Sequence, residues 1–411
     1  MGMTSLHIAN SRIVDPAQGR DAVGDILIEG RHIVATGQVE APADAQIIDA
    51  TGMVASPAFI DAGIFRADAA ACLAGGITRV LLMPDQFPPL DDPALVERAM
   101  RIGKPHVWVH PLSAATNGLA GEELAEIGLM REAGAAAAAT GRSGIASTAV
   151  MHRLLSYSRA FDMTIVSHAE DADLVEGASA TDGETATRLG LPSAPAIAES
   201  IAVARDTRLA EDTGARLHIR CISTAESAAI VARAKERGVR ITCGTTPAHL
   251  LLNDAEATDY RSFARLSPPL RSETDRLAMV EALKDGTIDV VSSGHDPRTQ
   301  EEKRLPWTQA APGMAGLETL LPLTLMALGG DSAYSRLVEV LSSAPARIFG
   351  LPGGTLAEGA PADVTLVKPD RAWRIDASAL AHPAANTPFD RLPVTGKVSM
   401  TIKGGEIVYK A

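Results

Sequence analysis

Five polar residues stand at the ends of short apolar runs: Asp85 after RVLLMP, His168 after TIVS, Ser223 in RLHIRCIS, Thr246 in RITCGTT and His295 in IDVVSSGH. Side chains of these types move protons or ligate metals when several converge. His168 and Cys221 offer the nitrogen and sulfur donors that zinc accepts. His295 and Asp296 join an imidazole to a carboxylate, a pair suited to proton transfer. Arg298, two residues further on, carries the fork of donors that grips an anion. Each of these also has a structural reading. A histidine at a strand end is often held by hydrogen bonds alone, a buried cysteine behaves as a small hydrophobe, and Arg298 serves equally well in a salt bridge. His106, His110, His218 and His249 flank strands too, but their spacing gives no metal motif.

Positioning these residues falls to alternating elements. Strand-like RVLLMPD, HVWVHPLS, TIVSHAED, RLHIRCIS, RITCGTTP and IDVVSSGHDP are interleaved with helix-like ADAAACLAGG, AESIAVARDTRLAEDTG, AESAAIVARAKERG and SETDRLAMVEALKDG. The alternation suits βα units. In a (β/α)8 barrel the polar strand ends would open onto the mouth, where active sites sit. The second and third helical segments repeat apolar residues at i, i+3, i+4 and close on glycine. The alanine run at 135–139 is low in complexity but too short to be disordered. Both chain ends have a β texture, from LHIANSRIVD and GDILIEGRHIVATG to ADVTLVKPD and KVSMTIKGGEIVYKA, with Lys403-Gly404-Gly405 suited to a hairpin turn.

Composition narrows the functions. The 411 residues include 38 basic and 50 acidic ones, a formal charge of −12. That excess opposes an electrostatic grip on nucleic acid or an anionic membrane. With 46% hydrophobic and 21% charged residues the chain is globular, and with 3% aromatics its core must be built from Ala, Val, Leu and Ile. Three cysteines (Cys72, Cys221, Cys243) cannot form a disulfide framework, which points to a reducing cytoplasm. No basic stretch leads into an apolar one at the N-terminus, and no run of about 18 apolar residues occurs, so neither a signal peptide nor a transmembrane helix is expected.

PAFID, AGGITRVLLMP, SHAED, LHIRCIST, TPAHLLL, SPPLR, IDVVSSGHDP, AGLETLLPL, APARIFGLP, GTLAEGAPADVTLV and ANTPFD follow one another in a colinear series. In that order they resemble dihydroorotases, cyclic amidohydrolases of pyrimidine biosynthesis, from about Asp15 to Tyr409. The resemblance implies an α/β fold: a (β/α)8 TIM-type barrel at 55–351 and a small β-sandwich domain built from both ends, 1–54 and 352–411. It implies ancestry and fold without carrying activity.

The family's chemistry uses a metal, usually zinc, to polarise a ring carbonyl and lower the pKa of the attacking water to about 7. Measured against that pattern, the ligands are mostly missing. The family's Asp-x-His-x-His is Asp61-Ala62-Gly63-Ile64-Phe65 here. Thr140 and Gly141 fall where the bridging acidic residue is expected, and no lysine occurs between Lys104 and Lys235 to replace it. His168 matches a ligand, and Cys221 stands at a histidine position. The acid/base aspartate is Gly294; Asp296 lies two residues on, on the same face of an extended strand but more than about 6 Å along it. At the substrate positions, Asp85 replaces an asparagine that faces the substrate carboxylate, Ser267 replaces another asparagine, and Arg66 sits one place before the family's substrate arginine. Asn386-Thr387-Pro388-Phe389 matches a family loop and is assigned to structure.

The motifs that determine the fold are kept and the residues that do the chemistry are lost. The expectation is therefore a non-catalytic dihydroorotase homologue that needs no cofactor. It would act as a structural or regulatory partner of aspartate transcarbamoylase, as non-catalytic members of the family do. A homo-oligomer is compatible with that role; nucleic acid and membrane are not expected partners. Two alternatives stand beside it. One is an active zinc-dependent dihydroorotase with an altered site around His168, Cys221, His295 and Asp296. The other is a protein that binds a small metabolite in the barrel mouth without turning it over.

Overall fold

Eight parallel strands form the centre of the computed structural model, which describes residues 5–330, 333–382, 384 and 386–411. In chain order they are Phe59–Ile64, Ile77–Leu82, Trp108–Ala114, Ala137–Ala139, Ile165–Ser167, Leu217–Ile219, Ile241–Thr245 and Val290–Val291, each hydrogen-bonded to the next. The first two are buried at every position, as expected for strands covered on both faces. Between the first and last strand the gap is bridged by two bonds: Ser293 N–H to Asp61 Oδ1 (3.1 Å) and Phe65 N–H to the His295 carbonyl (3.0 Å). The result is a (β/α)8 barrel.

Helices cover it where the periodicity places them. Ala69–Ala74 starts at Asp68, whose carboxylate accepts the Ala71 N–H; Ala225–Glu236 starts at Thr224, which accepts the Ser227 N–H. Ile197–Thr213 stops at Gly214 with φ +66, the left-handed cap that glycine adopts freely. The fourth strand lies inside the alanine run. Alanine favours strands weakly, so this strand exists because Leu112–Ala114 and Ile165–Val166 flank it and pair with it.

The two chain ends share one eight-stranded sheet. Strands Ser5–Asp15, Arg20–Glu29, His32–Gly37, Gln46–Asp49 and Val54–Pro57 join Val364–Arg374, Pro393–Lys403 and Glu406–Lys410. The ends meet where Val364 pairs with Pro57 and Val367 with Val54, antiparallel. Leu6, Ile8, Ile13, Ile26, Ile28, Val364, Leu366 and Ile402 fill its core. Lys403 pairs with Glu406 across Gly404 and Gly405, both at positive φ (+54 and +80), the hairpin turn expected there. Among the described residues no helix is long and apolar enough to cross a membrane.

The sheet is locked to the barrel by a buried ion pair: Arg79 of the second strand donates to Asp363 Oδ2 at 2.8 Å, and Asp363 Oδ1 accepts the Gly404 N–H at 2.7 Å. Asp363→Ala leaves the Arg79 guanidinium buried without its partner and should destabilise the protein by about 3–5 kcal/mol. Urea unfolding followed by circular dichroism measures this; a change below about 1 kcal/mol would show that the pair does not hold the junction.

Candidate functional site

The barrel mouth is organised around arginines. Gly63, at the end of the first strand, has φ +150, and a Cβ built on it would lie 3.9 Å from Arg220 Cγ. Phe65 follows: the Arg142 guanidinium carbon lies 3.8 Å from its ring centroid and that of Arg220 at 5.4 Å. At the fourth strand end, Thr140 Oγ1 accepts the His168 N–H at 3.0 Å. Gly141 has φ +87, and a Cβ there would sit 2.9 Å from Asp85 Oδ1, so Asp85 itself closes that position to a larger side chain.

His168 is buried and fully engaged. Its Nδ1 accepts from Arg220 Nη2 at 2.8 Å, which puts its proton on Nε2, and Nε2 donates to Glu170 Oε2 at 3.0 Å. Neither nitrogen has a lone pair to offer a metal. Cys221 Sγ lies 3.7 Å from His249 Nδ1, and burial pushes its thiol up to about 12, far from a thiolate. His249 accepts from Thr246 Oγ1 (2.8 Å) and donates from Nε2 to the Pro268 carbonyl (3.1 Å); burial lowers it to about 4. Among the described residues no three His, Cys, Asp or Glu side chains are grouped to hold a metal ion. The donor set here does not fit the zinc centre that the resemblance implies.

His295 and Asp296 are not a pair, contrary to the sequence reading. The strand ends at Val291 and Gly294 turns the backbone at φ +63, so the extended run needed to carry both residues on from Ser293 does not form. His295 Nδ1 accepts the Gly316 N–H (3.3 Å), its ring meets that of His382 edge-on at 5.0 Å, and its Nε2 has no partner among the described residues. Asp296 faces the cavity instead. It takes both ends of the Arg142 guanidinium, one bond at 2.9 Å to Nη2 and a shorter one to Nη1, and a 2.7 Å bond from Arg298 Nη2.

Of the substrate positions, Asp85 accepts the Arg142 N–H on Oδ1 (2.9 Å) while its Oδ2 has no partner among the described residues; burial raises its carboxyl against the pull of Arg142 and Arg220. Ser267 lies on the rim. Arg298 also donates to the Pro312 carbonyl at 2.8 Å. Arg66 is exposed and outside the cavity lining. The cavity measures about 340 Å³ and is walled by Phe65, Arg142, Arg220, His249, Asp296 and Arg298 among others; a second pocket of about 270 Å³ shares Arg142 and Ser267 with it.

Arg142 and Arg220 went unremarked in the sequence reading. The signal for Arg220 is a cation directly after the barrel strand Leu217–Ile219, where the mouth opens; Arg142 directly follows Thr140 and Gly141, where the resemblance expects an acid. Beneath them, Arg271 of SPPLR clamps four segments. It donates to Ser223 Oγ (2.9 Å), Thr181 Oγ1 (3.1 Å), Glu170 Oε1 (3.0 Å) and Glu199 Oε2 (3.4 Å), each on a different segment. Glu199 is completely buried and accepts the N–H groups of Ser223 (2.9 Å) and Thr224 (3.0 Å).

Burial alone would raise the Glu170 carboxyl, but the His168 bond and the Arg271 charge overcome it and hold it down to about 2. A carboxyl depressed below its usual 4.5 contributes stability at neutral pH that is lost as pH falls from about 4.5 towards 2. Glu170→Gln should therefore cost about 1–3 kcal/mol at pH 7, as a buried hydrogen bond to a charged group does, and flatten the acid limb of the stability curve. Parallel wild-type and variant curves between about pH 5 and 2.5 would show that the carboxylate is not held this way.

The family model described as "Dihydro-orotase-like" matches residues 57–227. A dihydroorotase of Syntrophotalea carbinolica is 40% identical over 98% of both chains, and one of Pelobacter propionicus is 38% identical over 99% of this chain and all of its own. Among solved structures, the L-hydantoinase (dihydropyrimidinase) from Arthrobacter aurescens superimposes with a TM-score of 0.88 at 25% identity, covering 99% of this chain and 96% of that one. A D-hydantoinase from Thermus sp. shares the fold at 0.83 and 24% identity. Matched along its whole length in sequence and architecture, the chain belongs to the dihydroorotase family.

Proposed function

We propose that this dihydroorotase-family protein of pyrimidine metabolism has given up metal-dependent hydrolysis and serves as a structural or regulatory partner of aspartate transcarbamoylase. One observation supports the first half: the Arg220 side chain lies beside Gly63 and Phe65 and bonds the one nitrogen of His168 that could have faced a metal. A fixed guanidinium there opposes a divalent cation by charge and fills the space the missing histidines would need. Without a metal, nothing lowers the pKa of an attacking water, and amide hydrolysis loses many kcal/mol of transition-state stabilisation. The carboxylate nearest the cavity, Asp296, is committed to two arginines. The second half draws on the resemblance, in which non-catalytic members stabilise the transcarbamoylase; the outer helices and the end domain are free of the mouth and can form such an interface.

A second reading has an observation of its own. The relatives matched over nearly the full chain bear the name dihydroorotase, which favours an active enzyme with an altered metal site. Elemental analysis and a dihydroorotate hydrolysis assay on the same preparation separate the two. The proposal expects well under one zinc per chain and no turnover above buffer, with or without added zinc. Gly63→His with Phe65→His should not restore activity, because φ +150 strains any side chain at the first position and the imidazole would extend from there past the Arg220 stem. One or two tightly bound metals with turnover abolished by His168→Ala would establish the enzyme instead.

For the partner, co-expression with the aspartate transcarbamoylase of the same organism should give one species by size-exclusion chromatography with light scattering. Its interface should bury more than about 1,000 Å². Separate elution at micromolar concentration, with transcarbamoylase activity unchanged by deletion of this gene, would remove the partner role.

A further inference from the structure

We infer that the barrel mouth binds one small monocarboxylate with an apolar body, its carboxylate seated on the Arg220 guanidinium, a reading that rests on the proposal that no metal occupies the mouth. Arg220 is only 6% exposed and lines the 340 Å³ cavity. Among the described residues it forms no salt bridge; Nη2 bonds His168, and the buried Nε has no hydrogen-bond partner. A buried guanidinium with a donor unspent is costly. An oxyanion is the ligand that satisfies it, and the planar fork suits a carboxylate.

Charge selects the valence. Arg142, Arg220 and Arg298 border the cavity, and Asp296 and Asp85 are the carboxylates that face them. Asp296 is already shared by Arg142 and Arg298, so the unmatched cation is Arg220. Glu170 and Glu199 lie behind it and share Arg271; Glu170 reaches Arg220 only through the His168 ring. One carboxylate matches the one guanidinium that no carboxylate bonds, whereas the second charge of a phosphate would meet Asp85 and the acids behind. The remaining wall selects the body of the ligand: Phe65, Leu266, Ala311, Pro312 and Met314 are apolar. The anion would sit against Arg220 in the cavity that Phe65 and His249 also line. That is not the carboxylate position implied by the resemblance, where Asp85 stands in place of an asparagine and repels an anion.

Calorimetry with benzoate tests this, with benzamide as its uncharged counterpart and inorganic phosphate as the alternative oxyanion. The metal content of the same sample is measured alongside. The expected result is saturable benzoate binding to metal-free protein, at least tenfold weaker benzamide and phosphate binding, and a loss of at least tenfold in Arg220→Met, with Arg220→Lys in between. Thermal melts of the ligand-free proteins should show Arg220→Met still folded, since the loss of its bond to His168 is offset by removal of a buried charge that no carboxylate bonds. No benzoate binding by metal-free wild type, or phosphate binding tighter than benzoate, would overturn the carboxylate site while leaving the metal-free reading intact. Stoichiometric metal, with benzoate binding abolished by a chelator, would overturn both. Arg220→Met that unfolds while wild type ignores benzoate would make Arg220 a purely structural strut and also end the proposal.

Discussion

The 2.8 Å bond from Arg220 to His168 Nδ1 governs the chemistry of this barrel. It fixes the imidazole tautomer, points Nε2–H at Glu170, and through Glu170 reaches Arg271, which ties the fifth strand's loop to Ser223, Thr181 and Glu199. On its other side the Arg220 stem packs by Gly63, and its head approaches the Phe65 ring that Arg142 stacks upon. A chain of cations, carboxylates and one aromatic ring therefore runs across the mouth, where the family's pattern calls for a metal and its ligands. A metal centre concentrates charge at one point and is held by donors that converge. Here the positive charge is spread over three arginines and the acidic groups are turned to meet them.

The substitutions make sense as one coupled set. Glycine at 141 makes room for the Asp85 carboxylate, which collects the Arg142 N–H. Glycine at 294 bends the eighth strand's exit so that Asp296 meets Arg142 and Arg298. Phe65 supplies the face on which Arg142 rests. Returning any one position to a metal ligand would meet a neighbour already adapted to its absence. The scaffold beneath is untouched by this: strand ladders, helix caps and the Arg79–Asp363 lock to the end domain do not depend on what fills the mouth.

The barrel was legible because buried parallel strands read as runs of Val, Ile and Leu ending in polar residues, and because glycines and Asp, Ser or Thr mark helix ends. The alanine strand at 137–139 was not, since its residues favour helix and only its neighbours make it a strand. That Gly63, Phe65, Thr140, Gly141 and Gly294 stand where the resemblance expects metal ligands or the acid/base group follows from position alone. What fills their space does not. Whether Arg220 points inward depends on the space Gly63 vacates, 157 positions away in the chain. The reading of Asp296 as His295's partner failed for a local reason: it assumed an extended backbone across a glycine that turns.

The central claim is that a guanidinium stands where the family would bind a metal. It is tested most directly by diffraction at the zinc absorption edge from crystals grown with zinc in excess. The account predicts no anomalous peak within bonding distance of His168 or Cys221, and density for Arg220 running to His168 Nδ1. A strong peak bonded to His168, with Arg220 swung away from it, would contradict it.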